Sequence, residues 1–137
     1  MKLEVRVVTP DKIVYDGPAD SLVIPGQDGY FGVLPNHAPM ISLLDIGELK
    51  IRNEYQEYYY AIEGGFCEVR KNKVVVVTPS AQRADEIDDN LVQASLQEAK
   101  RRLSSKLENK ELLQLQIDIR KASVLLEVAR HKRRQMI

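Results

Sequence analysis

Gly29-Tyr30-Phe31-Gly32-Val33-Leu34-Pro35-Asn36-His37-Ala38-Pro39-Met40 concentrates two glycines, two prolines, two aromatics and a histidine in one segment. Glycine supplies backbone angles that side chains forbid, and each proline fixes φ and biases its predecessor toward extended geometry. So stiff a segment, carrying so many apolar side chains and no catalytic set, is expected to be a shaped docking surface.

Upstream of it the sequence alternates with period two. Leu3, Val5 and Val7 point one way and Lys2, Glu4 and Arg6 the other, as in a half-buried strand. Thr9-Pro10-Asp11-Lys12 interrupts, and Ile13-Val14-Tyr15 resumes before Gly17-Pro18. Further short strands are expected at Ser21–Ile24, Glu48–Arg52, Tyr55–Glu63, Phe66–Arg70 and Lys73–Thr78. Pro25-Gly26-Gln27-Asp28-Gly29, Asn53-Glu54 and Lys71-Asn72 serve as turns. Closely spaced strands with no helix between them predict a compact antiparallel sandwich or barrel over residues 1–84.

The pattern changes at Pro79-Ser80-Ala81. From Glu86 onward there is no Gly and no Pro, and most residues favour helix. Ile87, Leu91, Val92, Ser95, Leu96, Ala99 and Leu103 form one apolar-to-small stripe. Leu112, Leu115, Ile119, Ala122, Leu126 and Ala129 form a second at three- and four-residue steps. Ser104-Ser105 and Glu108-Asn109-Lys110 separate them weakly, which predicts an antiparallel two-helix hairpin over residues 85–137. The fold class is therefore α+β, a β-sandwich followed by a helical hairpin. Leu113, Ile117, Val124, Leu125 and Val128 widen the second stripe beyond what two helices can bury, so the hairpin is expected to lie on the sandwich or enter a partner.

Twenty basic residues balance twenty acidic ones, which argues against a general polyanion binder. The cations gather late: residues 119–137 hold six against one anion, Glu127. The single Cys67 excludes an internal disulfide. No apolar run approaches the roughly 18 residues of a membrane span, and the start Met-Lys-Leu-Glu does not read as a signal peptide. His37 and His131 have no Cys or His partner at metal-site spacing, and neither a phosphate loop nor a Ser-His-Asp arrangement is suggested. In an alternating strand Tyr58 and Tyr60 share a face and Tyr59 takes the other, so core packing accounts for at least one side of that aromatic run. Gly64-Gly65 reads as a backbone requirement. No catalytic residue, metal site or cofactor is expected.

The segment at 29–40 resembles the signature loop of the epsilon subunit of F-type ATP synthases, written Gly-x-x-Gly-(Val/Ile)-(Leu/Tyr)-x-(Asn/Gly)-His-Ala-Pro. Gly64-Gly65-Phe66-Cys67-Glu68-Val69 and Ala84-Asp85-Glu86-Ile87-Asp88 match that family in order and spacing, and the resemblance covers essentially the whole chain. It implies a noncatalytic rotor subunit on the cytoplasmic face of a bacterial membrane, peripheral and reaching the membrane only through the complex. The implied partners are the gamma subunit, the c-ring and, with the hairpin raised, the alpha/beta catalytic head. Tyr30, Phe31, His37 and Met40 are the implied partner-binding residues, Tyr30 standing where relatives often carry an acid.

Some members of the family bind ATP at the hairpin base through Ile/Leu-Asp-x-x-Arg-Ala and arginines on the second helix. Here Ile87 and Asp88 match, but Leu91 and Val92 replace the arginine and alanine, and Lys121 and Leu125 stand where arginines are expected. Lysine does not reproduce bidentate guanidinium recognition of phosphate, so tight ATP sensing is not expected. The resemblance further implies that Arg101, Arg102, Arg120, Lys121, Arg130, Lys132, Arg133 and Arg134 form a basic face able to brake ATP hydrolysis; the plainer reading is a solvated helix face. A small sandwich with a basic arm for nucleic acid is the competing class, which leaves the segment at 29–40 unexplained. A free-standing nucleotide sensor is a third, weakened by the missing arginines.

Overall fold

The computed structural model describes residues 1–131; Lys132, Arg133 and Arg134 of the basic face lie outside the described residues. Eight strands run β1 (Leu3–Val8), β2 (Ile13–Ala19), β3 (Ser21–Gly26), β4 (Gly29–Val33), β5 (Met40–Asn53), β6 (Gln56–Arg70), β7 (Lys73–Val77) and β8 (Ala81–Arg83). A 3-10 turn at Ala84–Glu86 leads to helices α1 (Asp89–Leu103) and α2 (Asn109–Ala129). The strands hydrogen-bond in the order β2-β1-β7-β6-β5-β3-β4, with β8 also on β6. All pairs are antiparallel except β1 with β7, which runs parallel.

One connected sheet makes two layers because β5 and β6 bend together. Along β6 the side chains in the sandwich core are Tyr60 and Ile62 before Gly64-Gly65 and Cys67 and Val69 after, a change of parity. In β5 the same change falls between Leu44 and Leu49. The ladder skips at this place, from Leu44 opposite Gly65 to Ile46 opposite Glu63. Both glycines have positive φ, 92° and 102°, a region open to glycine and strained for other residues. The pair expected between two strands thus lies inside one bent strand. Each half of that strand sits in a different layer, with Leu3, Val5, Leu22, Ile24, Leu49, Ile51, Val74 and Val76 sealed between them.

Burial has chemical consequences for the core's polar groups. It pushes the Cys67 thiol and the Tyr60 phenol up to about 12, so neither ionises near neutral pH. Other turns follow local chemistry. Lys71 and Asn72 both take positive φ between β6 and β7, the two-residue hairpin geometry that favours Asn and Gly.

Several sequence expectations shift. The segment at 29–40 is not all loop: Gly29–Val33 pairs with β3, leaving 34–39 as the connection. Tyr15 does not end its strand, because β2 is an edge and tolerates Pro18 there. The break between the helices is made by serines rather than Gly or Pro. Ser104 and Ser105 donate their hydroxyls to the carbonyls of Arg101 and Arg102, each at 2.7 Å, satisfying acceptors that a helix end leaves open.

The hairpin lies on the first layer, the one that holds the half of β6 before Gly64, the second layer holding the half after Gly65. Val128 and Ala129 of α2 pack with Tyr59 and Ala61 of β6 and with Ala84 and Ile87, and Val124 and Leu125 adjoin them. Tyr60 is in the sandwich core while Tyr59 faces the hairpin, as alternation requires. Leu113 and Ile117 remain 61% and 42% exposed, so docking covers only part of the wide apolar face.

Candidate functional site

The residues expected to meet a partner are anchored at separate places along β5. Tyr30 is exposed, and its hydroxyl accepts the Glu48 N–H at 3.0 Å. Gly47 admits it: a Cβ there would stand 2.8 Å from the tyrosine oxygen and 2.6 Å from Pro25. His37 lies near the far end of the strand, its ring Nδ1 2.7 Å from the Ala38 carbonyl and its backbone N–H bonded to Leu34. Asn36, at φ 67°, donates its N–H to the Asn72 side chain at 2.6 Å, which fastens the loop to the β6–β7 turn. Phe31 and Met40 pack on the sandwich core. Of the four, Tyr30 is exposed, and Phe31, His37 and Met40 are half-buried.

A broader apolar surface escaped the sequence reading. Ile41 and Leu43 of β5 are 75% and 60% exposed, and Phe66 of β6 is 43% exposed. Leu43 stands opposite Phe66, which stands opposite Val77 of β7. They form the outer face of the second layer, opposite in sense to the face the hairpin covers. The available signal was the run Met40-Ile41-Ser42-Leu43-Leu44, apolar at both parities as in a strand with two buried faces.

The six residues of the degenerate nucleotide motif gather at the base of the hairpin. Asp88, Leu91, Val92, Lys121 and Leu125 line a cleft of about 620 Å³ together with Ala99, Leu115 and Ala122; Ile87 is buried beside it. Asp88 is employed as the α1 cap, accepting the Leu91 N–H at 3.2 Å. Glu86, Asp88, Glu98 and Asp118 outnumber Arg102 and Lys121 around the rim, and Lys121 is already 3.5 Å from Glu63. A triphosphate would meet net negative charge. Millimolar ATP is therefore expected to leave the melting temperature of the isolated chain unchanged; a saturable rise would overturn this reading.

The basic residues divide by role in this docked arrangement. Arg120 reaches Asp45 at 2.7 Å and Lys121 reaches Glu63 at 3.5 Å, both fastening α2 to the sandwich bend. The Arg120 hydrogen bond holds the Asp45 carboxyl below the usual carboxylate range. Arg101 pairs with Glu98 at 2.6 Å along its own helix. Arg102 and Arg130 are exposed.

The ATP synthase delta/epsilon chain β-sandwich family model matches residues 2–84. The ATP synthase epsilon chain of Synechococcus sp. (strain JA-2-3B'a(2-13)) is 34% identical over 94% of each chain. The chain belongs to the ATP synthase epsilon family. The epsilon chain of Desulforamulus reducens is 38% identical over 90% of this chain and 88% of its own. That of Leptospira interrogans is 41% identical over 73% and 79%. A chain in the Euglena gracilis mitochondrial ATP synthase structure, described as OSCP/F1/c-ring, shares the fold at a TM-score of 0.83 and 24% identity, covering 93% of this chain and 81% of that one. As an epsilon chain it is a noncatalytic ATP synthase subunit, and among the described residues no helix is long and apolar enough to cross a membrane.

Proposed function

We propose that this epsilon chain is a rotor component of the central stalk. Its sandwich holds the gamma subunit and rests on the c-ring, coupling ion flow to catalysis, and its hairpin brakes ATP hydrolysis when raised into the alpha/beta head. The enzyme it serves is bacterial, with the chain on the cytoplasmic face and the membrane reached through the complex.

The observation that carries the clamp is the bare outer face at Ile41, Leu43 and Phe66. Clustered exposed apolar side chains on a small soluble domain mark an interaction surface, and an aromatic flanked by aliphatics suits an interface centre. We assign gamma to this face; Tyr30 and His37, at the sandwich ends, serve the ring and stalk contacts.

Leu43→Asp with Phe66→Asp tests the assignment. Both positions are solvent-facing, so the fold is expected to persist by circular dichroism. Binding to the gamma-containing catalytic head is expected to weaken at least about 100-fold, since losing two central apolar anchors and burying charge costs several kcal/mol. Undiminished binding by a folded double variant would move gamma elsewhere on the sandwich.

A further inference from the structure

At the end of α2, His131 lies flat on Tyr59, with ring centroids 3.6 Å apart and planes at 6°. Its Nε2 is 2.5 Å from Glu48 Oε1, and both side chains are largely withdrawn from solvent, at 18% and 25% exposure. His131 belongs to the hairpin, whereas Glu48 and Tyr59 belong to β5 and β6. The contact therefore exists only while the hairpin is down. We infer that His131 and Glu48 form a proton-operated latch, which holds the hairpin on the sandwich while the pair shares a proton and frees it as that proton is lost. The inference concerns when the hairpin leaves the sandwich, and so deepens the two-state brake proposed above.

The pair carries one titratable site on each side of the interface. With a proton it is a neutral unit, imidazolium against carboxylate. Without one it is a lone carboxylate in a poorly solvated place, which is costly. The surrounding charges do not rescue it. Glu127 of α2 adds repulsion, and Lys50 of β5 is 3.5 Å from Glu57 of β6 and 5.8 Å from the Tyr59 ring. Tyr59 donates its hydroxyl to Glu57, so its ring is held in place for the stack. Arg120–Asp45 and Lys121–Glu63 lie elsewhere along the helix.

Linkage fixes the direction. Burial, chiefly, and then Glu127 push the Glu48 carboxyl above its ordinary range, against the pull of His131 and Lys50. A group whose value is raised on docking stabilises the docked state below its free value and loses that contribution as pH rises through the docked value. The contribution is fully present below the ordinary carboxylate value of about 4.3 and is lost as pH rises through the higher value Glu48 has when docked. Acid favours the docked hairpin and alkali releases it.

Spin labels on Asp28→Cys and Gln116→Cys, two exposed positions on sandwich and hairpin, would report docking in the isolated full chain; Cys67 is buried and is left unlabelled. The docked-to-released ratio is expected to fall as pH rises above about 4.3, with about tenfold per pH unit as the bound for one linked proton. Glu48→Gln is neutral throughout and is expected to flatten the profile, whereas His131→Phe keeps a flat ring on Tyr59 but removes the pull on Glu48 and is expected to move the fall to higher pH. A flat wild-type profile, a slope surviving Glu48→Gln, or a profile unmoved by His131→Phe overturns the latch. Because the readout is distance rather than hydrolysis, the latch and the brake can fail independently.

Discussion

Gly65→Ala is expected to destabilise the sandwich severely. A Cβ at this position would stand 1.9 Å from the Val77 carbonyl oxygen and 2.9 Å from the Thr78 Cα, at φ 102°. Nothing flexible is available to yield, because both neighbours are backbone. Relief requires moving β7 away from β6, at the Phe66–Val77 pair that joins them just past the bend. The positive φ alone costs about 1–3 kcal/mol, and the lost strand pairing raises the total to about 4 kcal/mol or more. Against a domain stability of about 5–15 kcal/mol this is a large share, equivalent to a fall in melting temperature on the order of 20 °C.

Gly64→Ala supplies the control. It shares the positive φ, 92°, but its Cβ would come no nearer than 3.4 Å to the Leu44 carbonyl oxygen. Only the dihedral cost applies, about 1–3 kcal/mol. Thermal or urea unfolding of the two variants separates dihedral strain from close approach. Equal losses would mean that β6 and β7 separate easily at the bend, and that the glycine pair is there for its angles alone.

Those two glycines also show how far the sequence could be read. The need for glycine at 64–65 was legible, but its purpose was not. A break between two strands and a bend within one give the same local pattern, and only the partner strand β5, with its matching skip at Asp45, distinguishes them. Alternation identified β1 and put Tyr60 and Tyr59 on opposite faces, because those features depend on neighbours in sequence; which face is inward was not legible. The strand Gly29–Val33 was hidden by glycines and aromatics that read as turn-forming, although its pairing with β3 is regular. The parallel contact of β1 with β7 joins residues about 70 apart and leaves no local trace. The same holds for the site. His131 showed no partner in sequence because its partners, Glu48 and Tyr59, come from strands far upstream. Leu91, Lys121 and Leu125 were grouped at the hairpin base only by the family resemblance, and in the structure they line one cleft.

Removing the residues after 86 is expected to raise ATP hydrolysis by the assembled enzyme while leaving assembly intact. The cut falls just past the sandwich and deletes Ile87 and the hairpin that cover Tyr59 and Ala61, so the bare first layer gains exposed apolar area but loses no strand. The size of the rise measures how often the full-length hairpin stands raised: about nine-tenths of the time gives about a tenfold rise. Such a balance is easily set. Moving a two-state element from 1:99 to 99:1 takes about 5.5 kcal/mol, equivalent to roughly 200 Å² of apolar surface at about 25 cal/mol per Å². Unchanged hydrolysis by the truncated complex would leave the chain as a coupling clamp and its late cations as ordinary helix solvation. Arg120→Ala with Lys121→Ala then separates two uses of the same charges. These side chains bond Asp45 and Glu63 when the hairpin is down, exposed pairs worth up to about 1 kcal/mol each. If they serve docking alone, the double variant raises the hairpin more often and deepens inhibition several-fold. If they also grip the catalytic head, that gain is cancelled or reversed.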